Sequence, residues 1–100
     1  LKNMKITQKK TSEFKNLSKA FIGLKSEKEV FALLRDICTI SEMSAMAERL
    51  DVAEQVEKWV TYRTIAKNTG ASTATITRVA HWLHNGMGGY HSVLARTKNW

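Results

Sequence analysis

No proline interrupts this 100-residue chain, and its glycines are confined to Gly23, Gly70, Gly86, Gly88 and Gly89. Proline inside a helix removes a backbone donor and clashes with the preceding turn, and glycine costs a helix about 1 kcal/mol relative to alanine. Long stretches free of both can therefore stay helical. No segment alternates apolar and polar residues as a half-buried strand would, whereas apolar residues recur by threes and fours along most of the chain. The pattern predicts an all-α protein of about six helices.

The opening residues, LKNMKITQKKT, are polar and basic and read as a mobile arm over 1–11, with one helical domain over 12–100. Phe14, Leu17, Phe21 and Leu24 share a face of a first helix from about Glu13 to Leu24. Ser26 suits the N-cap of a second helix ending near Cys38, and Glu27 and Glu29 suit the positive end of its dipole. Val30, Leu33, Leu34, Ile37 and Cys38 form its apolar stripe. Ser41 is the cap candidate of a third helix, in which Met43, Met46, Ala47, Leu50, Ala53 and Val56 recur through to about Trp59. Thr61 caps a short helix from Tyr62 to Asn68, and Ser72 caps one running to about His84. Asn85-Gly86 ends it, and a last helix from Tyr90 to Thr97 turns Tyr90, Val93 and Leu94 inward. Trp59 and Trp82 fall on apolar faces and read as core.

Residues 61–85, TYRTIAKNTGASTATITRVAHWLHN, have the spacing of a helix-turn-helix. Ile65 and the small Ala66 lie in the first helix, where a small residue lets the second pack closely. Gly70 supplies the positive φ of the corner, and Ile76 and Val79 face back toward the first helix. The outward face of the second helix is short and polar: Thr73, Thr75, Thr77 and Arg78. Thr73, Ala74 and Thr77 are the expected readers of base edges, and Arg78 can reach a guanine or a phosphate. The amides behind Ser72 favour a phosphate, and Arg63 and Lys67 suit phosphate contacts that set register. The plainer alternative is a pair of packed helices with a glycine corner, whose Arg63 and Lys67 merely face solvent.

Net charge is +7 with a pI near 9.8, and no Asp or Glu occurs from Lys58 onward, against Lys58, Arg63, Lys67, Arg78, Arg96 and Lys98. Double-stranded DNA is the natural partner of such a segment. No apolar run approaches the roughly 20 residues that span a membrane, and the first residues lack the apolar core of a signal peptide. One cysteine, Cys38, cannot form an internal disulfide, which suits a cytoplasmic protein. His81 and His84 are spaced to face one ion, but no cysteine or carboxylate near them in sequence completes a metal shell. Cys38 lies on an apolar stripe, where a thiol is usually inert, and nothing nearby orients a histidine as a base. The expectation is neither an enzyme nor a metal or cofactor protein. A chain this size buries only about two-thirds of its unfolded surface, so an oligomer sharing its core is expected.

The run AKNTGASTATITRVAHWL, preceded by CTISEMSAMAERLDVAEQV, resembles the tryptophan repressor superfamily, and most of all its YerC/YecD-type branch. The resemblance spans about Leu33 to Gly89, and ATITR at Ala74 to Arg78 is its most specific part. It implies an intertwined helical homodimer in which each subunit lends its first helices to the other's core. Two reading heads would then meet a palindromic operator with half-sites about one helical turn apart. It also implies a corepressor pocket. Thr39, Arg49, Thr75 and Arg78 match the family's ligand-holding residues, but Val79 stands where the family has a glycine and Trp82 where it has a serine. Val79 adds bulk, and Trp82 can fill the space an indole would take and so pre-organise the reading heads. A corepressor other than L-tryptophan, or none, is implied. The function expected is that of a sequence-specific DNA-binding transcriptional regulator, a dimeric repressor. The alternatives are a helical protein-recruitment module, or the DNA-binding part of a replication or transposition factor. The self-contained look of the chain and its lack of a catalytic carboxylate cluster speak against the latter.

Overall fold

A computed structural model describes residues 6–97. These form six helices: α1 Gln8–Ile22, α2 Glu27–Ile37, α3 Ile40–Glu57, α4 Tyr62–Thr69, α5 Thr73–Asn85 and α6 Gly89–Arg96. Among the described residues there is no strand, as the spacing predicts. The helices divide into two compact units, one ending at Thr39 and one beginning at Ile40.

In the first unit, α1 starts at Gln8 rather than near Glu13, so the end of the expected arm is helical. Thr7 is the reason: its hydroxyl accepts the Lys10 N–H at 3.1 Å, and Gln8, Lys9 and Lys10 are good helix formers that carry no apolar signal. Residues 1–5 of the arm lie outside the described residues. Ser26 caps α2 as expected, accepting the Glu29 N–H at 3.1 Å, while the Glu29 carboxylate accepts the Lys25 N–H at 3.1 Å. Neither α1 nor α2 buries a side chain. Phe14, Leu17, Phe21, Phe31 and Ile37 are all exposed, although their spacing is that of core residues.

The second unit holds the core. It comprises Val52, Ala53 and Val56 of α3, Ile65 of α4, Ala71, Ile76, Val79, Ala80 and Leu83 around α5, and Leu94 of α6. Only the C-terminal half of α3 is buried. That helix begins at Ile40, so Ser41 lies inside it rather than capping it. Asn68 Nδ2 donates to Gln55 Oε1 at 3.0 Å and ties α4 to α3. In α6, Leu94 is buried and Tyr90 packs against the core, but Val93 is exposed, contrary to its expected inward placement.

α3 ends with two bonds that cross its last turn. Trp59 N–H donates to the Val56 carbonyl, and Val60 N–H to that of Gln55, both at 3.0 Å. This closure needs a left-handed residue at position 59, and Trp59 has φ 61. Val60, the residue after it, folds back onto the core. Trp59 is 88% exposed and Trp82 56%, so neither is the core residue that its periodicity suggests. Trp59 projects from the helix end past the last turn, and Trp82 lies on the flank of α5 beside its buried row.

Two substitutions separate packing from backbone conformation. Ile76 is fully buried, so Ile76→Ala should lower unfolding free energy in urea by about 2–5 kcal/mol. A Cβ at Gly70 would meet nothing within 4 Å, so Gly70→Ala should cost only the left-handed penalty of about 1–2 kcal/mol.

Candidate nucleic-acid interface

α4 and α5 are joined by a short corner whose every device is local. Thr61 caps α4 by accepting the Thr64 N–H at 3.2 Å. Gly70 ends it with φ 78 and ψ 1, its N–H donating to the Ala66 carbonyl at 2.8 Å. Thr69 Oγ1 donates to the Ile65 carbonyl at 2.7 Å and accepts the Ala71 N–H at 3.1 Å, which carries the chain round the corner. Ser72 then caps α5, accepting the Thr75 N–H at 3.1 Å. Ile76, Val79, Ala80 and Leu83 are buried along one side of α5.

Opposite that row, Thr73 and Thr77 stand one turn apart, as do Ala74 and Arg78, and all four are exposed. They form one small, polar face with a single cation. Thr75 does not join it: it is half-buried, and Ser72 Oγ donates to its hydroxyl at 3.0 Å, so both hydroxyls belong to the cap. Arg63 and Lys67, also one turn apart, are exposed on α4. Among the described residues, none of Arg63, Lys67 and Arg78 pairs with a carboxylate. Such a face offers unneutralised cations beside a groove-sized helix. Lys98 lies outside the described residues.

The acid-free stretch from residue 58 is less isolated in space than in sequence. Glu54 Oε1 holds the Lys58 ammonium at 2.9 Å, and Glu57 Oε2 lies 3.4 Å from His91 Nδ1. Reading along the chain missed the second pair, because α3 supplies its carboxylate from a distant part of the sequence. His81 meets Trp82 edge-on, with ring centroids 5.2 Å apart. Among the described residues no three His, Cys, Asp or Glu side chains gather as metal ligands would.

Of the residues expected at an effector pocket, Arg49 and Trp82 line one cleft within the second unit. This cleft of ≈ 570 Å³ is lined by Met46, Arg49 and Leu50 of α3, Trp82 of α5, Gly86, Met87 and Gly89 of the connection, and Tyr90 and Val93 of α6. It brings Arg49 and Trp82 together, but Thr75, Arg78 and Val79 do not line it. Val79 is in the core, and Thr39 belongs to the first unit. Trp82 lines this cleft and is over half exposed.

The sequence model of the family described as Trp repressor protein matches residues 12–98, most of the chain. The chain belongs to that family. It is 38% identical over 95 residues to the uncharacterised protein YerC of Bacillus subtilis (strain 168), covering 95% of this chain and 91% of that one. Among solved structures, a candidate Trp repressor from Staphylococcus aureus superposes with a TM-score of 0.82 at 32% identity, covering 93% of this chain and 96% of that one. A TrpR-like protein from Eubacterium eligens ATCC 27750 gives 0.83 at 38% identity, with 88% and 91% covered. The family is one of helix-turn-helix regulators and not of enzymes, so the resemblance carried by ATITR and the all-α fold both hold.

The roles expected of Arg78 and Arg63, base reader and phosphate contact, can be told apart by substitution. Arg78→Ala is expected to weaken binding to a selected operator by about 1–3 kcal/mol and to change binding to random duplex little. Arg63→Ala should weaken both alike in competition mobility shifts. An equal loss for Arg78→Ala would make Arg78 a phosphate contact.

Proposed function

We propose that the protein is a cytoplasmic, homodimeric, sequence-specific DNA-binding repressor that acts on a palindromic operator. The observation that carries this reading is the outward face of α5. Thr73, Ala74, Thr77 and Arg78 stand exposed on a helix whose other side is anchored in an apolar core, with Arg63 and Lys67 beside it on α4. Side chains this short let a helix lie deep in a major groove, and the basic residues supply sequence-independent affinity. Repression then needs no chemistry: an occupied operator excludes polymerase.

Dimerisation is supported by what the chain leaves uncovered. α1 and α2 bury nothing, and Phe14, Leu17, Phe21, Phe31 and Ile37 present apolar surface that water disfavours. A second copy would cover it, turn residues 12–100 into part of one shared domain, and pair two α5 helices across a two-fold axis. Membership of the Trp repressor family points the same way. Among the described residues no helix is long and apolar enough to cross a membrane.

Selection of bound sequences from a random duplex library tests the reading directly. The expected result is an inverted repeat with half-sites about one helical turn apart and affinity that falls steeply with salt. Absence of any shift with random duplex at low salt would favour a protein-recruitment module, in which the basic face is incidental.

The effector is a separate matter. Val79 is part of the core and Trp82 puts an indole where the family has a serine, so the reading includes no L-tryptophan corepressor. Calorimetric titration with L-tryptophan should give no binding in the micromolar range, and saturable micromolar heat would contradict it.

A further inference from the structure

Three described residues have a left-handed backbone: Gly70, Gly88 and Trp59. Two are glycines, for which that region is free of strain. Trp59 has a Cβ and a bulky ring, and it is held at φ 61 by the two bonds that close α3. Burial of the indole could offset the strain, yet at 88% Trp59 is the most exposed large apolar side chain described. The residue is unfavourable at the backbone and contributes almost no packing within its own chain. Strain of this kind points to a use outside the chain.

The surroundings say what that use is. Trp59 lies two residues before Thr61, the cap of α4, in the sequence Lys58-Trp59-Val60-Thr61-Tyr62-Arg63. Tyr62 and Arg63 are exposed on the first turn of α4, and Lys67 follows one turn on. An apolar protein surface laid over Trp59 would also have to desolvate these cations, whereas a polyanion is attracted by them. An indole has a flat apolar face, which can lie on a deoxyribose, and one N–H donor with no acceptor, which can meet a phosphate oxygen.

We infer that Trp59 is a DNA-contacting residue that braces α4 against the sugar–phosphate backbone beside the groove read by α5. The inference rests on the DNA-binding reading above and extends it beyond the helix-turn-helix to the end of α3. The contact carries no sequence information: it holds the reading head in register, as Arg63 and Lys67 do.

Trp59→Gly is the informative variant, because glycine suits the left-handed position and the fold should survive. Its melting temperature should be no lower than that of the unchanged chain. In mobility shifts with mixed-sequence duplex and with selected operator it should bind both about tenfold more weakly, by the same factor. Trp59→Phe should fall between. Sedimentation should show the same oligomer for all three proteins. If the unchanged chain binds and Trp59→Gly binds within about twofold of it, the assignment of Trp59 is wrong while the DNA reading stands. Loss confined to the selected operator would make Trp59 a base reader, and a smaller oligomer would make it a subunit contact; either overturns the inference. An unchanged chain that shifts no duplex overturns both.

Discussion

Ile65 and Ile76, both fully inaccessible to solvent, share one core, and the aim of α5 depends on it. A helix of 13 residues is marginal alone in water, so packing must fix its orientation. With Ile76, Val79, Ala80 and Leu83 locked inward, helical periodicity leaves Thr73, Ala74, Thr77 and Arg78 no direction but outward. The same packing explains why the core contains no buried polar side chain. Thr73, Ala74, Thr77 and Arg78 are left at the surface, and among the described residues Arg78 pairs with no carboxylate.

That economy leaves a small core. One end of α3, parts of α4, α5 and α6, and nothing from α1 or α2 contribute to it. Phe14, Leu17 and Phe21 of α1 and Phe31 and Ile37 of α2 thus leave apolar surface exposed, an arrangement that favours association. The proposed dimer would join the two requirements, since the contact that covers apolar surface also sets the distance between reading heads. Operator spacing would then be a property of subunit packing.

How much of this was legible along the sequence depended on whether the cause was local. Ser26, Thr61 and Ser72 act on amides three residues ahead, and Gly70 acts on its own φ, so each could be read from its neighbours. Ile76 and Val79 were legible for a similar reason, because a period of 3.6 needs only one helix. The start of α1 at Gln8 was missed because a cap and good helix formers leave no apolar signal. Periodicity also named Phe14, Leu17 and Phe21 as buried, which described a tendency of the helix and not an outcome within one chain. Trp59 and Trp82 failed differently: each is apolar at a helical spacing, but one sits past the end of its helix and the other on a flank. The pairing of His91 with Glu57 needed the third dimension altogether. In the site, the outward face of α5 followed from spacing, but the tie of Thr75 to the Ser72 cap needed the local hydrogen-bond geometry.

Trp59 and Gly70 make the sharpest comparison in the molecule. Each ends a helix flanking the start or finish of α4, each adopts the left-handed region, and each lies where a side chain meets open space. Backbone energetics alone would favour glycine at both. At residue 70 the chain has it. At residue 59 the chain carries the largest side chain available, at a position where hydrophobic burial within the chain cannot account for it. On the proposed reading, the difference between two such similar corners lies in what each one faces, and the DNA that would meet α4 and α5 would supply the term missing from the energetics of position 59.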